Sequence, residues 1–334
     1  MLRWLLALCG VGLLAAIVLM AVLSSRLDAV AAVAPEQTFV VESGESLGRI
    51  AVRLESAGLI RDARVLRWLA RYRGDAGRLH AGEYRLSPAL PAREILDRIA
   101  RGRVATHEVV VPEGFTVALI AERLGESGLA EADAFLAAAT DPDLAASLDV
   151  PAPRLEGYLF PDTYHLARGL PPGDIARAMV EQFLQVWKDV APGAERRGLS
   201  MHEVVTLASI VEKETGAAHE RPLIASVFSN RLRRKMRLES DPTTIYGIPN
   251  FDGNLRRRHL EDASNPYNTY RIAGLPPGPI ASPGRAALLA VVEPAESDYL
   301  YFVSRNDGTH VFSRSYSEHH AAVNRYQRRR RRTP

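Results

Sequence analysis

Two carboxylates two residues apart, Glu212 and Glu214, close the apolar stretch Leu207-Ala208-Ser209-Ile210-Val211-Glu212-Lys213-Glu214-Thr215. An acid set among apolar neighbours has its pKa raised by desolvation, toward the range where a carboxyl can protonate a leaving group near neutral pH. Downstream come Ser240-Asp241-Pro242-Thr243, Tyr246, Tyr267-Asn268-Thr269-Tyr270 and Gly274-Leu275-Pro276-Pro277-Gly278-Pro279-Ile280, a polar, aromatic and turn-prone series that suggests a carved surface. Upstream, the run from Leu155 to Tyr164 joins Glu156 to Tyr158, Phe160 and Tyr164; it reads either as an ordered loop or as a face suited to a sugar. Other chemistries fail on spacing. His202-Glu203-Val204-Val205-Thr206 has Thr206 where a zinc-protease helix needs its second histidine, and Ser209 has Glu212 where a penicillin-binding nucleophile needs lysine. There is no G-x-S-x-G elbow, phosphate loop or dinucleotide fingerprint, so neither metal nor cofactor is expected.

The helix that must carry the acids is predicted by Ser200 and Glu203, which fit a capping box ahead of Val204, Val205, Leu207, Ala208, Ile210 and Val211. That is more apolar surface than one stripe needs, so the helix is expected to be buried around most of its circumference. Glu212 lies one turn beyond Ala208 and two beyond Val205, near the end marked by Gly216, which makes it the expected proton donor. Glu214 is turned by roughly 200° from it and is expected to be a solvated partner of a neighbouring Lys or Arg. Further helices are predicted over 174–187 and 222–232. A strand and turn are predicted over 236–246, with Glu239 and Asp241 facing one side. Strands at 299–303 and 310–313 flank Asn306-Asp307-Gly308 as a hairpin, and Ser317 opens a last helix on which His319 and His320 read as surface residues.

Nearer the start, strands at 39–42 and 81–86, helices at 62–72 and within 47–54, and a helix at 93–100 give the order βααβ followed by α, a unit small but able to fold on one core. Ser43-Gly44-Glu45-Ser46-Leu47 resembles the opening of a LysM-type glycan-binding module, with a plain spacer domain as the alternative. A strand at 109–111 leads to a helix from Thr116 to Gly125, and Asp133 is expected to cap another through Ala139.

Trp4 to Leu23 is an uncharged apolar run of 20 residues, long enough to span a bilayer and longer than the core of a cleaved signal peptide, although Ala29-Val30-Ala31 offers a small-residue cleavage site. An uncleaved single-pass anchor is expected. The single cysteine, Cys9, excludes an intramolecular disulfide, and a net charge of +3 is too mild to indicate nucleic acid. The unbroken run Arg328 to Arg332 reads as a solvated tail.

The motifs Ala208 to Glu214, Asp241-Pro242-Thr243, Tyr267-Asn268-Thr269-Tyr270 and Gly274 to Ile280 resemble, in order, those of the YceG-like (MltG) family of endolytic murein transglycosylases. The resemblance implies an α+β chain. Its parts would be a membrane anchor in 1–26, a linker at 27–37, a small LysM-like βααβ domain at 38–105, a connecting helical region at 106–154, a larger mixed catalytic domain at 155–325 and an Arg-rich tail at 326–334. It further implies peptidoglycan glycan strands as substrate, peptidoglycan synthases as partners, and a place in the bacterial inner membrane with the catalytic domain in the periplasm. The family's catalytic glutamate falls on Glu212, with Glu156, Tyr158, Asp241, Thr243, Tyr246, Asn268 and Tyr270 as candidate sugar-binding residues. A lytic transglycosylase uses the sugar's own C6 hydroxyl as nucleophile, so one carboxyl serves as acid and then base. The chain departs from the family pattern at Glu239, where glutamine is more usual. An inactive glycan-binding scaffold and a two-carboxylate murein hydrolase are the competing expectations.

Overall fold

The structure, a computed structural model, describes residues 2–328; all but the first residue of the arginine run lie outside them. The described chain is mixed α+β, built from helices and three two-stranded antiparallel or paired ribbons. Helix α1 (Leu2–Leu27) is long and apolar enough to cross a membrane, with mean hydropathy 2.0 over Gly10–Leu27. The chain divides into two compact units, one comprising 1–107 with 165–169 and the other 108–164 with 170 onward.

In the first unit, β1 (Gln37–Val41) pairs antiparallel with β2 (Gly82–Leu86), Phe39 opposite Tyr84. Helices α2 (Leu47–Ser56) and α3 (Ala63–Tyr72) lie between them in sequence, and α4 (Ala92–Ala100) follows. Ser46 caps α2 and Asp62 caps α3, each accepting a backbone N–H of the first turn, as these short polar residues do at helix starts. Phe39, Ile50, Leu54, Leu66, Tyr84, Leu86, Ile95 and Ile99 form one core. The stretch expected to be a linker is tied down. Leu27 packs on that core, the Val30 and Ala31 N–H groups donate to the Pro88 carbonyl, and Ser87 Oγ donates to the Ala34 carbonyl.

Strands β3 (Thr106–Val110) and β4 (Thr163–Ala167) each run across the division between the units. In the second unit, α5 (Val117–Glu126), capped by Thr116, is followed by α6 (Ala132–Ala139) and α7 (Pro142–Ser147). Asp133 does not cap α6; it sits within the first turn, and Glu131 occupies the cap position without a side-chain bond. Helix α8 (Pro172–Arg197) runs well past the predicted end at 187 and through Pro192, because Val190, Gly193 and Ala194 extend its buried face before Gly198 closes it at φ 65°. Helix α9 (Met201–Glu214) carries the predicted capping box, and every residue from Val204 to Val211 is buried. Packed around it are α8, α10 (Arg221–Arg233), α11 (Asp241–Tyr246) and α13 (Arg285–Val292), which is why no polar stripe could be spared along its middle.

The strand expected over 236–246 is absent. Glu239 takes φ 52°, a conformation no strand tolerates, and Pro242 lies in the first turn of α11, where its fixed φ suits a helix start. Glu239 and Asp241 still line one cavity, brought there by this turn and not by strand alternation. A short helix, α12 (Arg257–Glu261), precedes the loop to α13. The closing hairpin β5 (Tyr301–Ser304) and β6 (His310–Ser313) forms with Phe302 opposite Phe312 and Asn306 at φ 64°. Its following helix α14 (Tyr316–Val323) is opened by Ser315 rather than Ser317.

Candidate active site

The last turn of α9 sends its two acids to different surroundings. Glu214 lines a cavity of about 440 Å³ together with Asp241, Tyr270, Arg231, Glu239 and His310. Its Oε1 accepts a 2.6 Å hydrogen bond from Ser240 Oγ. Burial, reinforced by the charge of Asp241 and opposed by the Ser240 bond, pushes the Glu214 carboxyl up to about 7. Glu214 is thus not the solvated partner of a Lys or Arg that its position suggested; a carboxyl raised this far can hold a proton near neutral pH.

Buried hydroxyls hold Ser240 in place. Its N–H donates to Thr269 Oγ1 at 2.9 Å, and its carbonyl accepts from Thr243 Oγ1 at 2.7 Å. Tyr270 OH donates to Asp241 Oδ1 at 2.7 Å, and burial plus the neighbouring carboxylates raise the phenol's pKa, so it stays a neutral donor. Arg231 Nη1 bonds Glu239 Oε2 at 3.0 Å and the Leu238 carbonyl at 2.9 Å, which neutralises the extra acid. Glu220, almost fully buried, accepts from the His310 backbone N–H at 3.0 Å and meets His310 Nδ1 at 2.7 Å, fixing the ring on the cavity wall. His319 also lines the cavity and stacks on Tyr301 at 5.2 Å, and burial lowers its pKa; it is not the surface residue expected.

Glu212 does not line this cavity. Its side chain is only 7% exposed, with Oε1 accepting from Arg221 Nη2 at 2.9 Å and Oε2 from the Gly284 N–H at 3.1 Å. Arg221 also reaches Glu113 at 3.2 Å. Burial and the nearby Glu212 raise the Glu113 carboxyl, while Arg221 opposes the rise. Glu212 is therefore a member of an ion-paired clasp joining α9, the start of α10 and the loop before α13, not the unpaired desolvated acid its position on the helix suggested.

The remaining candidates separate by burial. Asp241 and Tyr270 join Glu214 at the cavity. Glu156 and Tyr246 meet one another elsewhere in the unit, beside a second cavity of about 420 Å³. Glu156 accepts from Tyr246 OH at 3.0 Å and from the Val117 N–H at 3.2 Å, and burial still pushes its carboxyl up to about 7. Tyr158 is fully buried, its OH 2.9 Å from His202 Nδ1 and its ring edge-on to Phe183. Thr243 and Asn268 are fully buried too. Asn268 Nδ2 donates to the carbonyls of His259, Leu260 and Asp262, and its Oδ1 accepts from the Tyr270 N–H at 3.1 Å. Thr243 and Asn268 brace Ser240 and Tyr270, Tyr158 packs in the core away from the cavity, and none of the three is open to a ligand in this structure. Sequence reasoning missed Ser240, Arg231 and the Glu220–His310 pair, whose partners are distant in sequence.

A near-neutral carboxyl in a polar, aromatic-walled cavity of ligand size is suited to acid–base chemistry. The YceG-like family model matches residues 39–325. A protein of Bacillus subtilis named endolytic murein transglycosylase is 30% identical over 86% of this chain and 83% of its own length. Its namesake from Streptococcus pneumoniae serotype 2 is 30% identical over 85% of this chain, which spans 57% of that longer protein. A crystal structure of a YceG-like protein from Listeria monocytogenes, 32% identical, superposes with a TM-score of 0.60 over 87% of this chain and all of that one. The chain belongs to the YceG-like family.

Proposed function

We propose that the protein is a membrane-anchored endolytic murein transglycosylase in which Glu214, rather than Glu212, acts as general acid and then base. The observation that carries the assignment is the seating of Glu214 in the 440 Å³ cavity with its carboxyl pushed up to about 7. Glu214 gives its proton to the glycosidic oxygen as the MurNAc–GlcNAc bond breaks. The carboxylate so formed takes the proton of the MurNAc C6 hydroxyl as that oxygen bonds to C1, leaving a 1,6-anhydro end and a restored acid. Asp241, oriented by Tyr270, supplies negative charge where the sugar ring becomes positive. The names of the relatives support peptidoglycan as substrate. Helix α1 would hold the protein in the bacterial inner membrane with the second unit on the periplasmic side, beside the wall synthases, and the first unit would serve as the LysM-like domain.

Incubating the protein with uncrosslinked glycan strands and identifying the product ends by mass spectrometry tests the reading. Anhydro-MurNAc ends arising inside long strands are expected, and no cleavage would leave only a glycan-binding scaffold. Because Asp241 shares the cavity with Glu214, a two-carboxylate hydrolase is the second reading. Reducing MurNAc ends would establish it instead.

A further inference from the structure

The outer side of α3 in the first unit carries an arrangement that the catalytic reading does not use. Arg64, Arg67, Trp68, Arg71 and Tyr72 fall at i, i+3, i+4, i+7 and i+8, the spacing of one continuous helix face, while Ala63, Leu66 and Ala70 point into the core. Trp68 is 52% exposed and Tyr72 78% exposed, and their rings stack at 5.4 Å. Among the described residues Arg64, Arg67 and Arg71 form no ion pair, and Arg67 Nε is buried without a hydrogen-bond partner. The acids closest in sequence are engaged elsewhere: Asp62 caps α3, and Asp75 pairs with Arg73.

The helix that carries this face lies next to the end of α1. Helices α1 and α3 are in contact, Leu27 packs on the core that contains Leu66 and Ala70, and Arg61 donates twice to the Ala29 carbonyl, at 3.1 and 2.6 Å. With Val30 and Ala31 also bonded to Pro88, no free tether separates the end of α1 from the unit. If α1 spans the bilayer, α3 stands within roughly one helix diameter, ~10 Å, of its surface.

We infer that the Arg64–Arg67–Trp68–Arg71–Tyr72 face of α3 is a membrane-interface contact that rests on anionic lipid headgroups. Tryptophan and tyrosine place an apolar ring and a polar edge at the headgroup level, and unpaired arginines beside a spanning helix find their counter-charge in anionic lipid. The contact holds the first unit flat against the bilayer instead of letting it swing. The inference rests on α1 crossing the membrane, as proposed above.

The test uses the full chain in vesicles, with Trp4→Phe and Trp187→Phe leaving Trp68 as the only tryptophan. Lipids bearing a quencher near the headgroup should quench Trp68 in vesicles containing phosphatidylglycerol and much less in phosphatidylcholine alone. Each arginine favours an anionic surface about five-fold, so Arg64→Gln, Arg67→Gln and Arg71→Gln together should weaken the contact about a hundred-fold and remove the quenching. Cleavage of soluble glycan strands by the same variant shows that it is folded. Vesicle flotation reports on α1 separately. Protein that floats while Trp68 stays unquenched and open to aqueous iodide overturns this inference and leaves the anchor intact. Protein that does not float removes the anchor and this contact with it, and protection of Trp68 by glycan strands without vesicles would make the face a sugar platform.

Discussion

Replacing Glu214 by glutamine keeps the acceptor for Ser240 Oγ and the shape of the cavity wall but removes the transferable proton. The size of the loss follows from the surroundings. At pH 7 a carboxyl of ordinary pKa 4.5 is protonated about 0.3% of the time, whereas one pushed up to about 7 is protonated half the time, a gain of about 150-fold in the working acid. Removing a general acid costs typically ~10²–10⁴-fold in rate. Turnover of glycan strands, counted as anhydro ends by mass spectrometry, should fall by that factor in Glu214→Gln with an unchanged melting curve. Glu212→Gln should behave in the opposite way. Arg221 loses one of its two carboxylate partners, so stability drops by about 1–3 kcal/mol while the folded fraction turns over near the wild-type rate. Wild-type activity should fall as pH rises through about 7, because the acid form is then lost. Asp241→Asn removes a charge that raises Glu214 and should move that limb to lower pH; Ser240→Ala removes a bond that lowers it and should move the limb up. An inactive Glu212→Gln beside an active Glu214→Gln, or a rate indifferent to pH above 7, would refute the assignment.

Three further outcomes follow from single contacts. Glu156 is raised from 4.5 to about 7, so the stability it contributes is fully present below about 4.5 and lost as pH rises through about 7. Glu156→Gln should remove up to about 3 kcal/mol of that decline, read from denaturation midpoints across pH. Gly157→Ala should destabilise by about 1–3 kcal/mol or more in the same assay, since Gly157 holds φ 84° and an added Cβ would collide with the Pro279 ring. Glu239→Gln should leave both turnover and anhydro ends unchanged, because Arg231 neutralises that carboxylate and its side chain is 47% exposed; reducing ends lost together with activity would overturn this.

Local signals in the sequence held where two side chains agree: the capping box of Ser200 and Glu203 and the Asn306 turn stand where short-range chemistry put them, whereas Asp133 and Ser317, each a lone polar residue, do not cap their helices. Which of the two acids is pushed upward is not legible in the sequence, for a definite reason. Ala208 and Val205 lie under Glu212, yet Glu214 has Ile210 one turn before it and Leu207 two turns before, equally apolar and equally buried. On a helix buried all round, periodicity cannot rank two acids. What separates them is which neighbours arrive from elsewhere in the chain: Arg221 and Gly284 for one, Ser240 and Asp241 for the other. Glu239 does share a cavity with Asp241, but a turn brings it there and not strand alternation, since its positive φ is set by the turn into α11.

That difference in neighbours also explains why both glutamates suit one helix end. A single-acid mechanism needs a carboxyl that can be protonated before the bond breaks and charged after it, so its surroundings must penalise the charge without forbidding it. Around Glu214, burial and Asp241 raise the pKa while one short bond from Ser240 restrains the rise. Ser240 can give that bond only because Thr269 and Thr243 hold its backbone, and Asn268 in turn fixes the N–H of Tyr270, the donor to Asp241. Two turns of polar sequence thus set one proton's affinity. Glu212 has a separate, structural part: with Arg221, Glu113 and the Gly284 N–H it binds the end of α9 to the segments on its other side. Loosening that clasp should cost stability of the fold and not the proton affinity of Glu214, so Glu212 variants should lower the melting temperature while leaving the pH at which activity falls unmoved.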